Sequence, residues 1–202
     1  MTPKKRFKMY PQIQGYYTID GVQTDFTANI CHAHLLNYIL FAFSNFTYPG
    51  AYPGFQTNQL RNTANAPVSP SFSSNQININ AIAGDDTKGL LFGLGSTAIS
   101  PTQINLSGAK IAEGTGVNQL NYQLQSSWIQ NTFNSNYLES LKFWFERKAT
   151  NNSGANIDAK EIGLISSDGV DSLLLFRFPY PITIPDTKLI TLRFCWNWWI
   201  QV

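Results

Sequence analysis

Residues 188–202 read Lys-Leu-Ile-Thr-Leu-Arg-Phe-Cys-Trp-Asn-Trp-Trp-Ile-Gln-Val, and this stretch decides the fold class. Ile190, Leu192, Phe194, Trp196, Trp198, Ile200 and Val202 recur with period two, while Leu189, Thr191, Arg193, Cys195, Asn197, Trp199 and Gln201 fill the opposite side. Alternation over that length predicts a long, half-buried β-strand. Three Trp and one Phe bury more area than a lone ribbon can cover, so a second sheet must pack against the strand. The expectation is an all-β chain, an antiparallel β-sandwich of the jelly-roll or immunoglobulin-like kind.

Working back from that strand, Ser172 to Phe178 and Lys160 to Ser166 read as two strands joined around Asp168-Gly169, a hairpin signal. Pro179, Pro181 and Pro185 space the route into the last strand. Residues 149–156, with Asn151-Asn152-Ser153-Gly154, form a turn. Leu141, Phe143 and Phe145 alternate with Lys142, Trp144 and Glu146, which predicts a strand with both faces partly covered. Leu120, Tyr122 and Leu124 open another strand running toward Trp128. Gly89 to Gly95 is a short apolar strand closed by glycines, and Ile77, Ile79 and Ala81 predict one more, ended by Gly84-Asp85-Asp86. Several short strands with turn signals between them indicate a sandwich.

The first half is less regular. Tyr10 to Phe26 mixes aromatics with Gly15 and Asp20-Gly21, and gives one or two short strands. Residues 27–46 hold Ile30, His34, Leu35, Tyr38, Ile39, Phe41 and Phe43 without Gly or Pro; they suit a helix capped by Thr27 or a buried strand. Residues 47–74 repeat Tyr-Pro-Gly at Tyr48 and Tyr52 and add Pro67 and Pro70. Prolines remove ladder donors, so this segment is a long Pro/Gly loop, either mobile on the surface or embracing a neighbouring subunit.

With 202 residues the chain suits a single domain, residues 10–202, preceded by a basic arm over residues 1–9. Lys4, Lys5, Arg6 and Lys8 are four of the 14 basic residues; the ten that remain face 12 acids, so the body is slightly acidic. Four charges without interleaved aromatics make nucleic acid an unlikely partner and leave the arm solvated or docked on an acidic protein groove. No apolar stretch follows the lysines and no run of apolar residues is long enough to cross a membrane, so the expectation is a chain made in the cytosol without a signal peptide and without a membrane partner. Only 13% of residues are charged, which fits either a surface covered by neighbours or a β-rich protein with long Asn-rich loops.

The residues offer no catalytic constellation. His32 and His34 are the two histidines, and Cys31 beside them gives a cramped metal set; Cys31 and Cys195 read as free thiols. Gly93-Leu94-Gly95 lacks the third glycine and the helix of a dinucleotide fingerprint. Asp85-Asp86 and Asp168 to Asp171 read as turn acids before calcium ligands. The sequons at Asn45, Asn105 and Asn151 read as chance. The expectation is no enzyme, no cofactor and no metal.

Two stretches carry a resemblance. Gly89 to Tyr122 contains Gly93-Leu94-Gly95-Ser96-Thr97-Ala98-Ile99-Ser100, Lys110-Ile111-Ala112-Glu113-Gly114-Thr115-Gly116 and Gln119-Leu120-Asn121-Tyr122. Later come Thr150-Asn151-Asn152-Ser153-Gly154, Glu161-Ile162-Gly163-Leu164, Leu174-Leu175-Phe176-Arg177 and Ile182-Thr183-Ile184-Pro185. That order, over residues 89–202, resembles the small β-sandwich virion structural proteins of tailed bacteriophages. The resemblance implies a non-catalytic virion component, homo-oligomeric, that contacts major capsid or tail proteins as a capsid decoration or cement protein or as a tail-associated adaptor. Candidate contacts are Lys4, Lys5, Arg6 and Lys8 in the arm and Tyr48, Tyr52 and Phe55 in the loop. The alternative is a receptor- or glycan-binding module of a tail fibre, with those loop aromatics exposed.

Overall fold

A computed structural model describes residues 8–28, 62–66, 79–98, 104–134, 137–167 and 172–201. The basic residues before Lys8, the block at 29–46 and nearly all of the 47–74 loop therefore lie outside the described residues. Among the described residues every regular element is a strand. The strands are β1 (Lys8–Ile19), β2 (Val22–Ala28), β3 (Gly89–Gly93), β4 (Ala112–Glu113), β5 (Gln119–Tyr122), β6 (Ser126–Asn134), β7 (Tyr137–Thr150), β8 (Ile157–Ser167), β9 (Ser172–Ile184) and β10 (Leu189–Gln201). They form a seven-stranded sheet in the order β2-β1-β10-β7-β5-β4, with β6 also on β7, and a three-stranded sheet β3-β8-β9. All pairs but β4 with β5 are antiparallel.

The Trp-rich stretch is the central strand of the larger sheet, held by β1 on one side and β7 on the other. Ile190, Leu192 and Phe194 are buried against the smaller sheet, as their alternation requires. Phe194 meets Phe176 of β9 at 4.8 Å between ring centres, and Phe26 of β2 lies 5.0 Å from Phe194 and 5.5 Å from Phe178. Phe26 reaches that place because Gly15, its neighbour across the sheet, has no side chain: a Cβ there would lie 2.8 Å from the ring. Rings and aliphatics from both sheets thus make one core.

One side of the sandwich is closed by a single strand of chain. Leu94 donates to Ala109 O at 2.9 Å and Ile111 donates to Phe92 O at 2.9 Å, so residues 109–111 extend the small sheet; Ala112 and Glu113 then pair with β5 of the large one. Tyr122 sits at this corner, its hydroxyl donating to Ile111 O at 2.9 Å and accepting from Phe92 N at 3.4 Å. Burial pushes its pKa well above the ordinary tyrosine value, so the hydroxyl keeps its proton and its bond. Arg147 closes the same end from the core face of β7. It donates to the carbonyls of Asp85, Lys88, Leu90 and Gln123 and lies 4.4 Å over the Tyr122 ring. Burial lowers its pKa from the ordinary value, yet the carbonyls and ring give the cation partners that offset lost water.

Several expectations need correction. β1 begins at Lys8, which pairs with Gln201, so the last two residues assigned to the arm belong to the sheet. β2 runs through Thr27 and Ala28, so of the two alternatives for residues 27–46 the helix cap at Thr27 does not hold, and the rest of that block lies outside the described residues. Residues 79–82 form no strand: the Ile79 and Ala81 carbonyls are taken by the side chain and the backbone N–H of Gln125, so the segment is pinned at two points without a ladder. The strand expected to run from Leu120 toward Trp128 breaks at residues 123–125, where the buried Gln125 turns away to accept from Leu90 N at 2.6 Å. β9 continues through Pro179 and Pro181. It can do so because it is an edge strand and because the register against β8 slips between Ala159 and Glu161.

Other features came out as read. Asp20 and Gly21 both have positive φ, 51° and 79°, and turn β1 into β2. Gly154 takes φ of 80° in the Asn-Asn-Ser-Gly turn. Asn151 in that turn is wholly buried, donating to Ala155 O and Ile184 O and accepting from Ser153, which removes its sequon from the surface. Gly163 makes room for the Leu106 side chain: a Cβ there would lie 2.7 Å from Leu106 Cδ2.

Candidate functional site

Among the described residues, Phe143 and Trp196 are half-buried hydrophobics packed against the shared core. They contact at 6.0 Å between ring centres. Register puts Ile129 of β6 beside Phe143 on the same face, and Ile129 is 61% exposed. Ile129 thus adds exposed apolar surface at the margin of this core.

The opposite face of the same strands is chemically different, and Cys195 and Asn197 on it are wholly buried. Register places Trp128 beside Trp144 and Cys195, and Glu146 beside Arg193 and Tyr16. The two indoles are parallel within 9° at 5.8 Å between centres. Arg193 is ion-paired to Glu146 and lies 5.2 Å over Tyr16 and 5.3 Å over Trp128. Trp144 Nε1 donates to Gln130 Oε1 at 3.3 Å. Trp128 is 39% exposed. Each side chain is held by the next, so the cluster staples four strands together across this face.

A third feature lies on the outer face of the small sheet. The Glu161 carboxylate is wholly buried and paired with Arg177. Its Oε1 accepts from Gly95 N at 3.0 Å and Gly108 N at 3.1 Å; Oε2 accepts from Ser107 N at 3.0 Å, Ser107 Oγ at 3.2 Å and Arg177 Nε. Arg177 donates onward to Thr97 O at 2.8 Å and Ala98 O at 3.4 Å. Such a fully satisfied pair is a clasp for the two loops that cover β8. Beside it opens a cleft of about 470 Å³, lined by Thr63, Thr87, Asn105, Lys110 and Ser172 with Leu106 and Ile165 as its apolar part. Its lysine is engaged, since Lys110 Nζ bonds Asp86 Oδ1 at 2.8 Å. Burial works to raise the Asp86 pKa, but Lys110 and the Glu113 N–H hold it below the ordinary carboxylate value.

Lys4, Lys5, Arg6, Tyr48, Tyr52 and Phe55 lie outside the described residues, and Lys8 opens β1. Asp85 and Asp86 do serve turns and caps: Asp85 Oδ1 accepts from Thr87 N and Oγ1, and Asp86 Oδ2 from Glu113 N. Among the described residues no group of three His, Cys, Asp or Glu could hold a metal ion, and no helix is long and apolar enough to cross a membrane. Searched against protein-family models, curated proteins and solved structures, the chain matches none.

Sequence reasoning missed the cluster of Trp128, Trp144, Arg193 and Tyr16. The alternation around Trp144 was visible, but its neighbours Trp128, Arg193 and Tyr16 come from three other strands. Only the pairing order brings them together.

Proposed function

We propose that this chain is a bacteriophage virion structural protein, a capsid decoration or cement protein or a tail-associated adaptor, that works by protein–protein contact without catalysis. The observation that supports the reading is Ile129, an apolar side chain 61% exposed beside the half-buried Phe143 on one face of β6 and β7. An apolar patch on a rigid frame is an adhesive surface. Burying one Ile side chain contributes about 1.5–3 kcal/mol, and symmetric particles repeat that gain in every copy. Homo-oligomers and contacts with major capsid or tail proteins follow from the same surface.

The test is particle composition. Virions carrying Ile129→Asp should contain fewer copies of the chain than wild type, read by quantitative mass spectrometry of purified particles. Wild-type copy number in the variant removes the Ile129 face from the mechanism, and absence of the chain from particles removes the virion reading altogether.

A further inference from the structure

The edges of the two sheets are not alike. Among the described strands, β9 carries Pro179 and Pro181, β4 is two residues long, β3 is bridged by residues 109–111, and β2 carries Asp25. Each of these is a device that keeps a sheet from adding a further strand. β6 has none of them. It pairs with β7 alone among the described strands, and Ser126–Asn134 contains no proline, glycine or charged residue. The register slip near its end is taken up by Glu139 of β7, so β6 itself stays regular. Every residue from Ser126 to Gln130 is exposed. Alternate residues of such a strand turn both N–H and C=O toward the free side. We infer that β6 is the pairing edge for a second copy of this chain, joined antiparallel about a twofold axis.

The chemistry of the strand favours a copy of itself. A twofold pairing lays a strand against its own sequence, so each charge on it would meet a like charge. The chain has no charged residue between Glu113 and Glu139, and nothing there opposes self-pairing. Residues 79–81 already lie beside the start of β6: Ala81 O accepts from Gln125 N, and Ser127 Oγ donates to Asn80 Oδ1 at 3.1 Å. The open stretch is therefore 128–134, whose midpoint is Asn131. Pairing centred there sets Ile129 opposite Phe133 of the second copy and Gln130 opposite its Thr132, apolar with apolar and polar with polar. One pairing consumes both open edges, and the blunted edges that remain stop growth at two copies. The inference rests on the homo-oligomeric part of the reading above and gives that oligomer its contact.

Sedimentation velocity of the purified full chain measures the pairing. Wild type should pass from monomer to dimer as concentration rises to about 100 µM, with amide exchange at residues 128–134 slowing as it does so. Gln130→Lys should raise the dissociation constant by about fivefold at low salt, and Gln130→Glu likewise, because each sets like charges within about two positions across the pair. An equal mixture of the two variants should recover wild-type association. Recovery distinguishes a lost pairing from a damaged fold, since a misfolded chain gains nothing on mixing. A chain that stays monomeric overturns the proposal; so does a dimer that neither variant weakens, one that mixing fails to restore, or growth into open fibres. A dimer in solution supports the pairing even if the chain is absent from particles, so the two readings fail separately.

Discussion

Glu161→Gln should destabilise the fold by about 3–5 kcal/mol. The magnitude comes from counting what the amide can still do. Glu161 receives five contacts, two on Oε1 from Gly95 N and Gly108 N and three on Oε2 from Ser107 N, Ser107 Oγ and Arg177 Nε. A glutamine has one acceptor oxygen, so one side of that arrangement must lose its bonds. Facing the oxygen toward Arg177 keeps three contacts and turns an NH2 against the Gly95 and Gly108 amides. Each buried donor left without a partner costs about 1–3 kcal/mol, and the buried guanidinium loses its counter-charge as well. The reverse orientation strands Arg177 directly and is worse. Urea denaturation measures the effect as a lower midpoint at unchanged slope, and hydrogen exchange should quicken first at residues 94–98 and 104–108. A loss below about 1 kcal/mol would refute the reasoning, because it would mean the two loops hold themselves on β8 without the carboxylate.

Two further outcomes follow from buried groups on β10. Asn197 is wholly buried with neither amide atom hydrogen-bonded, so Asn197→Leu should leave stability unchanged or raise it by about 1–2 kcal/mol, as read by thermal unfolding. A clear loss would show that the amide has a partner. Burial pushes the Cys195 thiol up to about 11, a rise that a hydrogen bond with Gln14 and the charge of Lys142 partly offset. Its proton is therefore held in the native state where the unfolded chain, with an ordinary thiol near 9.0, has released it. Stability from this group is complete below pH 9 and falls as pH rises toward 11. At pH 8 the native thiol should not react with a disulfide reagent until denaturant is added, and rapid native labelling of Cys195, confirmed by peptide mapping, would contradict its burial.

How much of this was legible depended on whether a feature is local. Residues 188–202 announced a strand because a period of two is a local pattern, and the Asn-Asn-Ser-Gly turn announced itself because Gly154 alone tolerates its φ. The 79–82 segment misled for the opposite reason: Ile77, Ile79 and Ala81 alternate as a strand would, but the hydrogen bonds of the described part are fixed by Gln125, more than forty positions away. Pro179 and Pro181 looked like breakers because nothing in the sequence says that β9 is an edge. The Glu161 and Arg177 pair and the Trp128, Trp144 and Arg193 cluster were invisible because each is assembled from strands whose order only the fold decides.

The place of β10 between β1 and β7 also sets a timetable for folding. Among the described strands, β1 is made first and β10 last, yet the two pair along twelve positions from Lys8 and Gln201 to Ile19 and Ile190. Until β10 leaves the ribosome, β1 and β2 form a hairpin with one edge open, and β7 waits with its own partner missing. Joining strands so far apart in sequence carries a high loop-closure cost and slows folding in the manner of high contact order. During that wait the aromatic edges of β1 and β7 are exposed to other nascent chains, so synthesis at high concentration favours pairing between molecules over pairing within one.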